Sequence, residues 1–230
     1  MKILVIAAHP DDEVYGMGGT IAKLSEAGDE VHVLFVTDGC TAQYRNDPRL
    51  PQILAQKQEE ARRANALLGV KAVHFGTLPD MRLDTVPHVE VNQLIEETVD
   101  AVAPEVVYTH FLGDVNLDHQ MVYRSTLVAV RPVPGQTVRE LYCYRVPSST
   151  EWNPQLAHTA FLPNVMVDIT DYAALKEAAL LAYQTEARAY PHPRSAQYVR
   201  ETDRSCGLQW GMGSSEAFML LRKKDSGKVL

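Results

Sequence analysis

Four titratable side chains occupy five successive positions near the start of the chain. They are His9, Asp11, Asp12 and Glu13, with Pro10 between the first two. An imidazole nitrogen from His9 and a hard carboxylate oxygen from Asp12 together suit a zinc-like divalent ion. Asp11 lies between these two residues and is placed to accept a proton from a water on that ion. The cluster therefore predicts metal-assisted chemistry, whereas its plainer interpretation is a solvated acidic loop.

A second group of such side chains follows further along the chain. His110 ends an apolar run, and Asn116, Asp118 and His119 come soon after it. Two histidines and one aspartate around an ion leave a position open for water, which is typical of a catalytic zinc site. We therefore expect either His110 or His119 to join the N-terminal pair. The alternative for a lone histidine at a helix start is a surface or capping role.

A dinucleotide-binding loop is a rival interpretation of the first cluster, because Gly16, Gly18 and Gly19 follow it. These glycines come too late after the preceding apolar run to match that fingerprint. The carboxylates of Asp11 and Asp12 would also repel a pyrophosphate where backbone N–H groups should bind it. The sequence favours the metal site.

The elements that must position these residues alternate between strands and helices in the first half of the chain. Apolar runs and helical periods predict strands at Lys2–Ala8, Val31–Thr37, Ala72–Phe75 and Glu105–His110, and helices at Gly18–Ala27, Pro51–Leu68, 91–102 and Asp118–Val130. This alternation predicts a Rossmann-like, doubly wound α/β fold with a mostly parallel sheet and helices on both faces. In the order 3-2-1-4, the first and fourth strands are neighbours where ligands bind.

The second half is less regular. We expect strands at Val138–Val146, Val165–Ile169 and Ala217–Arg222, and one helix over Asp171–Ala187 that Thr170 or Asp171 caps. Two prolines exclude a helix from Tyr190 to Arg194. No shift in composition marks a boundary, so we expect a single domain over residues 1–230.

Composition limits the partners. The 29 Asp and Glu residues exceed the 22 Lys and Arg residues, which gives a formal charge of −7 and argues against binding to nucleic acid or anionic lipid. The apolar run at Ile3–Ala8 is too short for a signal peptide or for insertion into a membrane. Three scattered cysteines, Cys40, Cys143 and Cys206, are typical of the reducing cytoplasm.

The motifs resemble those of a known family. The segment Ala8–Glu13 is similar to the signature of the LmbE/PIG-L-type zinc-dependent N-deacetylases, which resemble the GlcNAc-phosphatidylinositol de-N-acetylase, and Asp118–His119 resembles the end of their second motif. The segments Ser148–Trp152, Pro191–Ser195 and Glu216–Phe218 resemble the branch associated with polysaccharides and glycoconjugates.

The resemblance implies a reaction and residue roles. His9, Asp12 and His119 would be the metal ligands and Asp11 the general base in hydrolysis of an acetamide on a small-molecule sugar or glycoconjugate precursor. The implied cofactor is Zn²⁺, although two histidines and a carboxylate also suit Fe²⁺. A zinc hydrolase of a different amide (an acylated thiol-sugar, antibiotic or nucleoside) and a non-catalytic, metal-dependent sugar-binding module are the alternatives. The sequence is compatible with a homo-oligomer.

The chain departs from the family pattern at Asn116, where a histidine is usual. Asparagine donates a hydrogen bond to an oxyanion but delivers no proton. Protonation of the leaving amine would then fall to Asp11, His110 or His192, of which we favour Asp11. The expected substrate-binding residues are Asn116, His192 and two arginines, Arg82 and Arg194; an exposed Arg45 is the weakest candidate.

Overall fold

The computed structural model of the protein describes residues 1–225. Within them a seven-stranded sheet has the order β3-β2-β1-β4-β5-β7-β6. The strands are Lys2–Ala7 (β1), Glu30–Thr37 (β2), Ala72–Leu78 (β3), Val106–Thr109 (β4), Glu140–Tyr144 (β5), Val165–Asp168 (β6) and Ser215–Lys223 (β7). The first five strands are parallel, and β7 runs antiparallel between β5 and β6. The predicted α/β fold is confirmed, and the order 3-2-1-4 forms one side of the sheet, from the edge strand β3 to the central strand β4.

Seven helices in the same range surround the sheet. They are Asp12–Glu26 (α1), Thr41–Tyr44 (α2), Leu50–Leu67 (α3), His88–Val102 (α4), Leu117–Ala129 (α5), Ala173–Ala182 (α6) and Ala196–Leu208 (α7). No helix among residues 1–225 combines the length and apolar character needed to cross a membrane.

Strand β1 shows why helices cover both faces. Successive side chains of a strand point to opposite faces, and every residue from Ile3 to Ala8 is buried. Ile3, Val5 and Ala7 pack in a core with α1, α3, α6 and α7, whereas Leu4, Ile6 and Ala8 pack in a second core with α4 and α5. A continuous apolar run is what a central parallel strand requires.

The residues after β1 and β4 lie at one edge of the sheet because these strands pair in parallel. Chain connections leave β1 toward β2 and β4 toward β5, in opposite directions along the sheet. This reversal opens a crevice at the carboxyl ends of the two central strands, which is where α/β proteins bind ligands.

The first helix begins six residues earlier than the sequence predicted, at Asp12 instead of Gly18. Carboxylates in a first turn interact favourably with the helix dipole, and Asp12 and Glu13 occupy that turn. The helix departs from helical dihedrals at Met17, among glycines, where φ is −155° and ψ is 25°. That irregularity obscured the periodicity of its first half.

The prediction of one helix over Asp171–Ala187 was wrong at both ends. Residues Thr170–Tyr172 form a 3-10 turn, no side chain caps α6, and α6 ends at Ala182. The next residues turn toward the crevice instead of continuing the helix. Helix α7 was not predicted, because its buried stripe consists of Val199, Asp203 and Gly207, of which only the first is apolar.

Candidate functional site

Three donor atoms converge at the crevice. His9 Nδ1 lies 3.2 Å from Asp12 Oδ2, and His119 Nε2 lies 3.3 Å from each of those two atoms. Ligands on a tetrahedral zinc ion with bonds of about 2.1 Å are separated by about 3.4 Å. The triangle of donors therefore fits one divalent ion, and the donor set of two nitrogens and one oxygen is suited to zinc chemistry.

Three backbone elements position these donors. His9 follows β1, Asp12 is the first residue of α1, and His119 lies in the first turn of α5. Of the two histidines that the sequence offered, His119 completes this triangle of donor atoms, and His110 does not. Asp12 Oδ2 also accepts a 2.9 Å hydrogen bond from the backbone N–H of His9, which holds the connecting loop closed.

Each of the two histidines is oriented by a carboxylate on its other ring nitrogen. His9 Nε2 lies 3.1 Å from Asp118 Oδ2, and His119 Nδ1 lies 3.1 Å from Asp114 Oδ2. A carboxylate at this position fixes the ring and the tautomer, so that the opposite nitrogen is free to bind a metal.

Both orienting carboxylates are themselves anchored. Asp118 accepts backbone hydrogen bonds from Met81 at 2.7 Å and Leu83 at 2.9 Å. Asp114 accepts from the hydroxyl of Thr150 at 2.7 Å and from the hydroxyl of Ser149. Sequence reasoning assigned no role to Asp114 or to these anchors, because their partners come from distant loops.

The electrostatics of the site favour a cation between the two rings. Burial would lower the pKa of His9, but hydrogen bonds to Asp118 and Asp12 raise it well above its ordinary value. Burial likewise opposes protonation of His119, yet Asp12 and Asp114 raise its pKa to about 9. The buried Oδ1 atoms of Asp11 and Asp12 have no hydrogen-bond partner within residues 1–225. A bound divalent ion would offset this surplus of negative charge.

His9, Asp80 and Asp118 form a second group whose donor atoms lie close together. This group uses His9 Nε2, which lies 3.4 Å from Asp80 Oδ1. Since Asp118 already accepts two backbone hydrogen bonds, its carboxylate is better placed to orient His9 than to bind a second ion.

Asp11 adopts a backbone conformation that is unusual for a residue with a side chain, with φ 120° and ψ −28°. Its N–H donates to Glu13 Oε2 at 3.1 Å, and its carbonyl accepts from Val14 and Tyr15 at the start of α1. Burial raises the pKa of the Asp11 carboxyl well above its ordinary value, against the opposing charge of Arg194. The strained residue therefore holds a buried acid beside the donor triangle.

Glu13 is the anchor for that conformation. Its other oxygen, Oε1, accepts from the Tyr183 hydroxyl at 2.6 Å and from Asn65 Nδ2 at 2.8 Å. Burial raises the pKa of Glu13 to about 7. Tyr183 is buried and holds this carboxylate, although its place in the sequence does not indicate such a role.

Arg194 lies at the site, but its guanidinium group is already paired. Nη1 is 3.3 Å from Asp11 Oδ2 and 3.3 Å from Glu186 Oε2, and Nε donates to Ser148 Oγ at 3.0 Å. Glu186 also forms a buried ion pair with Lys57 of α3. Arg194 therefore bridges Asp11 to this ion pair, a connection that sequence spacing could not indicate.

The other sequence-predicted residues are placed around the crevice. Asn116 caps α5 by accepting from Asp118 N at 2.9 Å, and its Nδ2 lies 3.4 Å from the Met81 sulfur. The Nδ1 atom of His192 accepts from Arg194 N at 3.0 Å. Arg82 is half-buried, directly between the two residues whose backbone N–H groups hold Asp118. Arg45 is exposed.

His110 supports the site without being a donor. Its ring stacks on His119 with centroids 3.9 Å apart, and its Nε2 accepts from the backbone N–H of Ala8 at 2.7 Å. Burial, with the nearby charge of His119, lowers the pKa of His110 to about 4. A neutral, hydrogen-bonded ring at this position braces the ring of His119.

The fold and the donor triangle define a Rossmann-like α/β protein with a buried His–Asp–His site for a divalent ion. Residues 4–130, more than half of the chain, match the model of the PIG-L family, described as GlcNAc-PI de-N-acetylase. The chain belongs to the PIG-L family, as the sequence motifs implied.

Similar proteins share most of the length of this chain. The diacetylchitobiose deacetylase of Thermococcus kodakarensis is 27% identical over 191 residues, covering 80% of this chain and 70% of that protein. The structure of the N,N'-diacetylchitobiose deacetylase of Pyrococcus horikoshii has a TM-score of 0.75 and 24% identity, over 96% of this chain and 84% of that one.

The same fold also carries a different reaction. GalB, the 4-carboxy-2-hydroxymuconate hydratase of Pseudomonas putida KT2440, has a TM-score of 0.72 and 20% identity over 100% of this chain and 99% of its own. The fold alone therefore does not define the reaction, which depends on the residues of the site.

Proposed function

We propose that this protein is a zinc-dependent N-deacetylase that hydrolyses the acetamide of an N-acetylated amino sugar or glycoconjugate precursor. The observation that carries the proposal is the donor triangle of His9, Asp12 and His119 with the buried Asp11 carboxyl beside it. Family membership and the deacetylases among the similar proteins support the reaction class.

His9, Asp12 and His119 would hold the ion. When bound, zinc supplies Lewis acidity that polarises the acetamide carbonyl and makes water a better nucleophile at neutral pH. The carboxylates of Asp114 and Asp118 keep both imidazole rings aimed at the ion.

Asp11 acts as the general base and then as the general acid. Its carboxylate takes the proton from the water that attacks the acetamide carbon, and it returns that proton to the nitrogen as the C–N bond breaks. Acetate and a free amine are the products. A carboxyl group suits both steps, because it accepts a proton as the carboxylate and delivers it again as the acid.

Asn116 and His192 are suited to donating hydrogen bonds. The Asn116 carbonyl is engaged in capping α5, and one N–H of Nδ2 is directed to the Met81 sulfur, so the second N–H is the donor left for an oxyanion. His192 Nδ1 accepts a backbone hydrogen bond, so a neutral ring carries its proton on Nε2. We place no proton transfer on His110, since its Nε2 already accepts from Ala8.

Arginines supply the remaining contacts to the substrate. Arg194 limits the rise in the pKa of Asp11 and lies within reach of groups bound next to that carboxyl. The side chain of Arg82 forms no hydrogen bond or ion pair with any other described residue, which leaves it available to a substrate hydroxyl or phosphate.

Acetate release from N,N'-diacetylchitobiose and N-acetylglucosamine tests the proposal. We expect zinc-dependent release that a chelator abolishes and added zinc restores. The Asp11→Asn variant should bind zinc yet lose about 10²–10⁴-fold in kcat, as expected for removal of an acid–base group. Release that persists in chelator, or in Asp11→Asn at the original rate, would exclude this mechanism.

A further inference from the structure

A cavity lies away from the donor triangle, between α7 and the segment that follows β5. Its volume is about 470 Å³, which is within the range of small-molecule sites. Phe161, Tyr198 and Trp210 line it together with Arg145, Glu201 and Gln209. Neither the metal-binding candidates nor Asp11 and the expected substrate-binding residues line this cavity; Thr150, which anchors Asp114, does.

The lining combines aromatic faces with planar polar groups. Trp210 is 59% exposed, although large aromatic side chains are usually covered when nothing binds them. The half-buried Arg145 side chain forms no hydrogen bond or ion pair with another residue in the described part of the chain. An aromatic face beside an unengaged guanidinium group is suited to a ligand with both C–H and hydroxyl surfaces.

The charge and polarity of the lining residues restrict the class of ligand that this cavity can bind. Glu151 and Glu201 line the cavity with Arg145, so two carboxylates oppose one guanidinium and disfavour a strongly anionic ligand. A purely apolar ligand would remove water from Arg145 and Glu201 without replacing their hydrogen bonds. A pyranose ring satisfies both conditions, because its C–H face stacks on an indole and its hydroxyls bond to guanidinium, carboxylate and amide groups.

One wall separates this cavity from the metal site. Thr150 lines the cavity, and its hydroxyl donates at 2.7 Å to Asp114, the carboxylate that orients His119. Glu151 also lines the cavity, and its carboxylate accepts from the backbone N–H of Ser148 at 2.6 Å. The Ser148 hydroxyl in turn accepts from Arg194 at 3.0 Å. A ligand in the cavity therefore contacts the same short segment that supports the site.

We propose that this cavity is a second saccharide-binding site, which holds a neutral or amino-sugar unit independently of the metal. The choice of a saccharide rests on the proposed function, whereas the location rests on the cavity itself. A second sugar site would hold an oligosaccharide or glycoconjugate at the protein while its acetamide is turned over.

The two tryptophans of the chain allow a direct test, since Trp152 lies outside the cavity lining and Trp210 within it. In the Trp152→Phe variant, treated with chelator, the fluorescence reports Trp210 alone. We expect chitobiose and N,N'-diacetylchitobiose to change this emission saturably, and adding His119→Ala should leave the effect unchanged.

The variants Arg145→Ala and Glu201→Gln should weaken the binding about tenfold or more, as expected for loss of hydrogen bonds from charged groups. Arg204→Ala is the matched control, because this exposed arginine of α7 does not line the cavity. Circular dichroism shows whether each variant is folded. A folded Glu201→Gln variant keeps the test decisive if Arg145→Ala does not fold.

Absence of a saturable change, or its loss in the His119→Ala background, would overturn the second site. Equal weakening by Arg145→Ala and Arg204→Ala would also overturn it. Failure of the proposed function has a different signature, because acetate release would be absent while saturable, metal-independent sugar binding at Trp210 persisted.

Discussion

The role of each residue at the donor triangle depends on its hydrogen-bond and ion-pair partners. These partners differ from those of its neighbours in the sequence. His9, Asp11 and Asp12 could be selected from the sequence because they are adjacent and chemically matched. Asp114 and Glu186 could not, since each also depends on a partner that is distant in the sequence, Thr150 for Asp114 and Lys57 for Glu186. Local spacing indicates candidate metal ligands, whereas the groups that anchor them are found only in the folded protein.

Removing an orienting carboxylate should weaken metal binding without removing a ligand. We expect Asp114→Asn to lower zinc affinity about 10–100-fold, because the His119 ring loses the partner that fixes its orientation. Competition with a chromophoric chelator measures the affinity. The exposed Asp171→Asn variant is the control and should bind zinc like the wild type. Unchanged affinity in Asp114→Asn would show that His119 needs no such partner.

The buried Glu13 should make the stability of the metal-free protein depend on pH. Its pKa is about 7 in the folded state and near 4.5 in the unfolded chain. Between these values the folded protein keeps a proton that the unfolded chain releases, so the free energy of unfolding falls as the pH rises. The full loss above pH 7 is at most about 3.5 kcal/mol, from 1.4 kcal/mol per pKa unit.

Urea unfolding in chelator between pH 4.5 and 7 measures this contribution. The Glu13→Gln variant should lose less stability than the wild type across that range, whereas the exposed Glu97→Gln variant should follow the wild type. Parallel curves for wild type and Glu13→Gln would contradict the raised pKa of Glu13.

The loops that connect the strands and helices determine the geometry of the site as much as the strands and helices do. The alternation of strands and helices up to Ala129 was predictable from periodicity, because each apolar run is buried on the sheet. Beyond Ala182 the predicted helix does not continue, because residues 183–194 turn so that Tyr183, Glu186 and Arg194 reach the crevice. The predicted strand Ala217–Arg222, in contrast, lies within β7. Turns of this kind form polar contacts, which cannot be predicted from hydrophobic periodicity.

Gly39 lies just after the end of β2, and the loop from His9 to Asp12 depends on its conformation. It has φ 68°, and a Cβ placed there would lie 2.5 Å from Pro10 Cδ. We expect Gly39→Ala to destabilise the protein by about 1–3 kcal/mol and to weaken zinc binding, because Pro10 connects His9 to Asp12.

Gly28→Ala is the matched control for this substitution. Gly28 has φ 88°, but a Cβ there would meet no atom within 4 Å. The Gly28→Ala variant should lose stability, because alanine disfavours a positive φ, but its zinc affinity should not change. Urea unfolding measures the stability, and chelator competition measures the affinity. If both variants bind zinc equally well, the contact between Gly39 and Pro10 does not position the ligands.

At the scale of the whole molecule, the formal charge of −7 has a partly local origin. Asp11, Asp12, Asp80, Asp114 and Asp118 are all buried at one edge of the sheet, and a divalent ion would offset part of their charge. Composition showed the surplus, but only the folded chain shows that it is concentrated at one place.

One sheet spans residues 2–223, so we expect the chain to unfold as one domain. Calorimetry of the metal-free protein should show one cooperative transition whose calorimetric and van't Hoff enthalpies agree. Zinc at about 100 times its Kd should stabilise the protein by about 2.7 kcal/mol and raise the Tm. Two separate transitions would contradict a single domain.

Anomalous diffraction at the zinc edge, from crystals soaked in zinc, tests the central claim most directly. The donor triangle predicts one strong peak about 2.0–2.2 Å from His9 Nδ1, Asp12 Oδ2 and His119 Nε2. A peak between His9, Asp80 and Asp118 instead, or no peak near His119, would contradict the account.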